Sequence, residues 1–87
     1  MPTISMFYGI IIRMFCFDDE RHHEPHVHVE AGGDYAVYSI LNGMPLAGSL
    51  PVSRHRLVQA WIELRREELQ ADWTLATAGE VPFRIDP

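Results

Sequence analysis

Two glycine-marked turns, Gly32-Gly33 and Asn42-Gly43, constrain this chain more than any other feature. Each supplies the positive φ angles that a two-residue hairpin turn needs. Ahead of the first turn, His26-Val27-His28-Val29-Glu30 alternates with period two. Val27 and Val29 therefore share one face of a strand, and His26, His28 and Glu30 share the other. Pairing Ala31 with Asp34 sets His28 opposite Val37 and His26 opposite Ser39, and the second turn then sets Ser39 opposite Leu46. The predicted polar face collects His26, His28, Glu30, Tyr35, Val37, Ser39 and Leu46. The opposite face collects Val27, Val29, Ala36, Tyr38 and Ile40.

The flanking segments complete an α+β domain. Phe7 to Phe17 is β-branched or aromatic with apolar side chains on both faces, interrupted by Arg13, as in a strand covered on both sides. Asp18 to Pro25 is polar and ends in Pro, which reads as a surface loop. Ser53 is a plausible N-cap for a helix from about Arg54 to Ala76, stopped by Gly79. Its apolar arc holds Leu57, Val58, Trp61, Ile62, Leu64, Leu69, Trp73 and Ala76, wide enough to cover a sheet. Val81 to Ile85 reads as a short final strand, with Pro82 suited to an edge. The expectation is one domain over residues 1–87: an antiparallel meander of about four strands, one long helix packed across it, and a short C-terminal strand.

Composition narrows the function classes. The formal charge is -5, from 12 acidic and 7 basic residues, and every base is Arg. That balance argues against a nonspecific grip on nucleic acid, which needs clustered cations. Protonation of all five histidines would cancel the charge, so the chain is sensitive to pH. Cys16 is alone, which excludes an intramolecular disulfide and a Cys-based zinc finger and points to the cytoplasm. Its aromatic neighbours Phe15 and Phe17 suggest a buried, inert thiol. The longest apolar run, Met6 to Ile12, is far short of the ~20 residues that span a bilayer, and no basic segment precedes it, so neither membrane nor signal peptide is expected. The sequence has no glycine-rich phosphate loop, serine elbow or Ser-His-Asp arrangement.

Three groups of residues could carry chemistry. His22, His26 and His28 join a loop imidazole to two on one strand face, and three imidazoles plus water make the open zinc site of hydrolytic enzymes. Glu24 or Glu30 could add a fourth ligand or a general base. The bland alternative is a polar sheet face whose histidines pair with nearby carboxylates. Arg65, Glu68 and Asp72 fall inside the apolar arc of the helix and read as a charge network at the core rim, or as the border of a cleft or partner groove. Arg54, His55 and Arg56 oppose the helix dipole at its start. With Arg66 they leave RNA recognition open if exposed aromatics accompany them. Trp61 and Trp73 are most economically core anchors.

The order of motifs is itself familiar. Met1-Pro2-Thr3-Ile4-Ser5, Phe7-Tyr8-Gly9-Ile10, the Asp/His/Pro/His-x-His loop, Gly48-x-Leu50-Pro51, Val58-x-x-Trp61, Glu68-Leu69-x-x-x-Trp73 and Ile85-x-Pro87 together resemble the small bacterial family called domain of unknown function 4160. The family's loop is His-x-Pro-Pro-His-Phe-His. Here His22, Pro25, His26 and His28 match, while Glu24 replaces a Pro and Val27 replaces the Phe. The resemblance implies no established reaction. It implies a bacterial interaction module of toxin-antitoxin type, encoded beside a second small protein that it binds. A first strand apolar on both faces, with one helix to cover one of them, suits such a partner or a homodimer. The competing expectation is a small metal-dependent hydrolase or nuclease using His22, His26 and His28, with zinc as the candidate cofactor.

Overall fold

The computed structural model describes residues 2–15 and 24–87. The chain forms a five-stranded antiparallel sheet in the order β1(Thr3–Phe7), β2(Ile10–Arg13), β3(His26–Ala31), β4(Asp34–Ser39), β5(Pro45–Gly48), followed by one helix, α1(Val52–Thr77). The apolar N-terminal stretch is thus two strands. Tyr8 and Gly9 adopt positive φ and turn the chain between them, so Phe7 pairs with Ile10.

The central hairpin has the predicted register. Ala31 pairs with Asp34, His28 with Val37 and His26 with Ser39, across a Gly32-Gly33 turn in which both φ angles are positive. The next connection differs. Gly43 alone has positive φ there, its N–H bonds the Ser39 carbonyl, and Ser39 N–H bonds the Met44 carbonyl. Tyr38 then pairs with Pro45 and Val37 with Ala47, so Leu46 falls in an irregularity instead of facing Ser39. Asn42 stays out of the left-handed region, and the loop is closed between Ser39 and Met44 rather than as a two-residue turn.

One face of the sheet presents Ile10, Ile12, Val27, Val29, Ala36, Tyr38 and Ile40 to Val58, Trp61, Ile62, Leu69 and Ala76 of α1, and these form one buried core. The helix starts at Val52 with Pro51 in the cap position and no side-chain cap, so Ser53 lies inside the first turn. Pro51 has no N–H to lose and an extended backbone ready for the turn. Non-helical angles at Arg65 (φ -109°, ψ 18°) kink α1 in mid-length. Leu64, just before the kink, is exposed, contrary to the sequence projection, while Asp72 is buried, as its place inside the apolar arc implies.

Past α1, Gly79 at φ +81° reverses the chain, and Glu80 N–H bonds the Leu75 carbonyl. Residues 81–87 form no strand. They run back as an extended strap, with Ile85 N–H bonding the carbonyl of Ile4, the unpaired residue of a bulge in β1.

Candidate functional site

The greatest concentration of chemically capable side chains among the described residues lies where β3 begins. His26 and His28 project from the sheet face opposite the core, yet both are buried. Among the described residues, aromatic rings cover both. Phe15, just past β2, stacks on His28 with centroids 4.0 Å apart and planes within 10°. Trp73, carried past the helix kink, approaches His26 to 5.0 Å. The two imidazoles meet edge to face at 5.2 Å.

Hydrogen bonds orient both rings. Nδ1 of His26 donates to the Glu24 carbonyl at 2.8 Å, which places a proton on that nitrogen. Nδ1 of His28 bonds the Tyr35 hydroxyl. Glu24 is held in turn: its Oε2 accepts the Ser39 hydroxyl at 2.6 Å, and Ser39 Oγ accepts Leu41 N–H at 3.1 Å. The cross-strand pairing His26–Ser39 builds this arrangement, because it sets Ser39 beside the residues entering β3.

Glu30 lies on the same face but belongs to another partner. Arg13 Nη1 meets its Oε1 at 2.9 Å. Both side chains are about one-third to one-half exposed, so the pair is worth no more than ~1 kcal/mol. His22, the third predicted imidazole, lies outside the described residues, as does Cys16. Among the described residues no group of three His, Cys, Asp or Glu side chains is placed to hold a metal ion.

The helix residues singled out by sequence separate. Arg65 Nη1 reaches Glu68 at 3.4 Å and its Nη2 donates to the Pro87 carbonyl at 3.2 Å. Asp72 does not join them; its Oδ1 accepts Phe83 N–H at 2.9 Å and its Oδ2 has no partner. Burial pushes the Asp72 carboxyl above the ordinary carboxylate range; the Phe83 N–H pulls the other way, and the Glu68 charge adds to the rise. At the helix start, the Tyr38 hydroxyl meets His55 Nδ1 at 2.7 Å, and burial pushes that phenol up.

Among the described residues, the two tryptophans offer no stacking platform for RNA. Trp61 is buried with Nε1 donating to the Asp86 carbonyl, and Trp73 packs on the core and His26. Arg66 is engaged by the Ile40 carbonyl and Glu63.

Sequence reasoning missed Phe15 and Trp73 as walls of the histidine pocket. Tyr35 and Ser39 were recoverable, since the predicted register already placed them on the histidine face. The approach of Trp73 to His26 joins residues 47 positions apart and leaves no local signal.

The family model described as Domain of unknown function (DUF4160) matches residues 9–74, from the β1–β2 turn to just past Trp73. The chain belongs to the DUF4160 family. The match takes in His26, His28, Glu24, Tyr35 and Trp73, whereas the C-terminal strap lies outside it. No curated protein and no solved structure matches the DUF4160 chain. Among its described residues no helix is long and apolar enough to cross a membrane.

Proposed function

We propose that this DUF4160 protein is a protein-interaction module, a component of toxin-antitoxin type that binds a protein encoded by a neighbouring gene. The observation that carries this reading is the half of the sheet that α1 leaves bare. Across four strands Met6 pairs with Ile11, Ile11 with Glu30 and Glu30 with Tyr35, forming one row on the face opposite the core. Met6 is 54% exposed, Tyr35 50%, and Tyr8, in the adjoining turn, 75%. Met6, Ile11 and Tyr35 flank Glu30, whose charge Arg13 pairs, so the row offers a partner apolar and aromatic contacts with one compensated charge among them.

Co-expression with the neighbouring gene product tests it. The expected result is a complex that Met6→Glu or Tyr8→Glu disperses while the isolated domain melts within ~0.5 kcal/mol of wild type, as exposed positions do. Sedimentation of the protein alone determines whether a second copy uses the same face. A monodisperse monomer that captures nothing when co-expressed refutes the proposal.

One observation favours a metal-dependent hydrolase or nuclease as the second reading. His26 and His28 both engage Nδ1 in a hydrogen bond, the pattern that orients Nε2 in histidine metal ligands. With His22 they would make the three-ligand set of a catalytic zinc, and Glu24 would serve as base. Elemental analysis of untagged protein decides: stoichiometric zinc, lost in the His26→Ala, His28→Ala double variant with the fold retained, supports it. Metal below stoichiometry removes it.

A further inference from the structure

The strap over residues 81–87 is held by four hydrogen bonds and belongs to no helix or strand. Ile85 N–H bonds the Ile4 carbonyl at 2.7 Å, Trp61 Nε1 bonds the Asp86 carbonyl at 2.9 Å, Arg65 Nη2 bonds the Pro87 carbonyl, and Phe83 N–H bonds Asp72 Oδ1. Pro82 and Ile85 are buried beneath it, while Val81 and Phe83 are exposed.

We propose that Asp72 is a pH-sensitive latch: the strap lies closed over the neutral carboxyl, and ionisation of that carboxyl opens the strap around Phe83.

The geometry behind this is asymmetric. Asp72 is 97% buried by its own 3% exposure, yet only one of its two oxygens has a partner. A neutral carboxyl keeps its proton on Oδ2 while Oδ1 still accepts Phe83 N–H, so the closed contact survives. A carboxylate is favoured by the Phe83 N–H at Oδ1, but it also leaves charge on a buried oxygen, Oδ2, with no partner, and this larger desolvation cost is relieved by admitting water. The helix cannot open there without breaking its own ladder, whereas the strap yields by giving up single contacts.

No nearby cation cancels the charge. On α1, Glu68 disfavours ionisation of Asp72, and Arg65 is turned to Glu68 and the Pro87 carbonyl. The strap side carries Glu80, Arg84 and Asp86, all exposed, and β1 contains no ionisable side chain. His26 lies against the neighbouring Trp73, and Arg13 is committed to Glu30. Opening frees the Ile4 carbonyl on the outer edge of β1, the kind of unpaired strand edge that another chain can extend. The latch stands or falls independently of the partner proposed above.

Nuclear magnetic resonance on the full chain between pH 4 and 7.5 tests it. The Asp72 carboxyl carbon reports ionisation, and amide exchange of Phe83 and Ile85, corrected for intrinsic exchange, reports opening. One coupled proton limits the change in opening to about tenfold per pH unit. The expected result is strap protection that falls with rising pH over the range in which Asp72 titrates, while the β3 amides hold constant. Asp72→Asn should abolish that dependence. Glu68→Gln, at an exposed position, should lower both midpoints together, and it carries the test if Asp72→Asn does not fold. Titration of Asp72 in the ordinary carboxylate range, strap protection independent of pH, or a pH dependence that persists in Asp72→Asn overturns the proposal.

Discussion

Gly48 ends β5 opposite Ala36 with φ +69°, and a Cβ built on it would sit 2.2 Å from the Tyr35 carbonyl oxygen and 3.0 Å from Ala36 Cα. Gly33 offers a matched control: φ is +88° and no atom lies within 4 Å of its would-be Cβ. Alanine at either position enters a backbone region that costs an L-residue ~1–2 kcal/mol. At Gly48 the obstructing atoms are backbone, which cannot rotate aside as a side chain would. Relief requires moving β5 away from β4 and weakening their pairing, a further ~1–3 kcal/mol by analogy with overpacked cores. Gly48→Ala should therefore cost ~2–5 kcal/mol against ~1–2 for Gly33→Ala. A domain of this size has roughly 4–13 kcal/mol of stability in all.

Thermal melts read the difference directly, since each kcal/mol shifts Tm by about 4–8 °C in a domain of this size. Gly33→Ala should lose about 4–16 °C, and Gly48→Ala about 4–24 °C more than that. Urea titrations on the same samples should show a lower midpoint with unchanged slope, the mark of lost stability rather than an altered unfolded state. Equal losses for the two variants would show that the close approach of β4 and β5 at Gly48 carries no energy, and the reasoning would fail. The motif glycine of Gly48-x-Leu50-Pro51 would then need another explanation.

Other positions give shorter predictions. The Ser5 hydroxyl is buried without a partner, so Ser5→Ala should be neutral or stabilising by up to ~1 kcal/mol in chemical denaturation; a clear loss would mean that the hydroxyl is satisfied after all. Tyr38 should titrate above the ordinary tyrosine value, while in the unfolded chain it titrates normally. Stability should therefore fall as pH rises past that ordinary value, and Tyr38→Phe should remove this part of the loss, followed by absorbance at 295 nm and by alkaline melts. Arg13→Met should cost under ~1 kcal/mol, with a smaller effect at high salt, because its partner Glu30 is half exposed.

The parts of the fold legible in sequence are those set by local geometry. Alternation over His26–Glu30 and the paired glycines at 32 and 33 determine the central register, because a slip of one residue would turn every valine out of the core. The split of the first apolar stretch was hidden. Ile10 and Ile12 face the core beside Phe7, so the run stays apolar straight through the turn, and only Gly9 marks it. The final segment, Val81 to Ile85, reads as a strand in sequence, yet its burial does not alternate, with Pro82 and Ile85 inside, and a single ladder-like bond at Ile4 does not make it one. Asn42-Gly43 misled for a related reason: the dipeptide favours a tight turn, but the bonds closing the loop run from Ser39 to Gly43 and Met44.

The candidate site was legible in its strand-borne half only. Period two put His26, His28, Tyr35 and Ser39 on one face, but the described rings that cover the histidines, Phe15 and Trp73, come from other parts of the chain. These contacts join residues far apart in sequence, and no periodicity encodes them. They divide the helix-free face into two regimes: a buried end around His26 and His28, and a bare end around Met6, Tyr8 and Tyr35. Tyr35 belongs to both, because its ring is half exposed while its hydroxyl holds His28. A partner that grips Tyr35 therefore acts on the bond that orients the imidazole. If the histidines bind a metal, that shared residue links the two events, and whatever change the partner makes in metal affinity the metal must make in partner affinity. The two proposed functions are then different loads on one residue, and the order in which they bind can be read from either side.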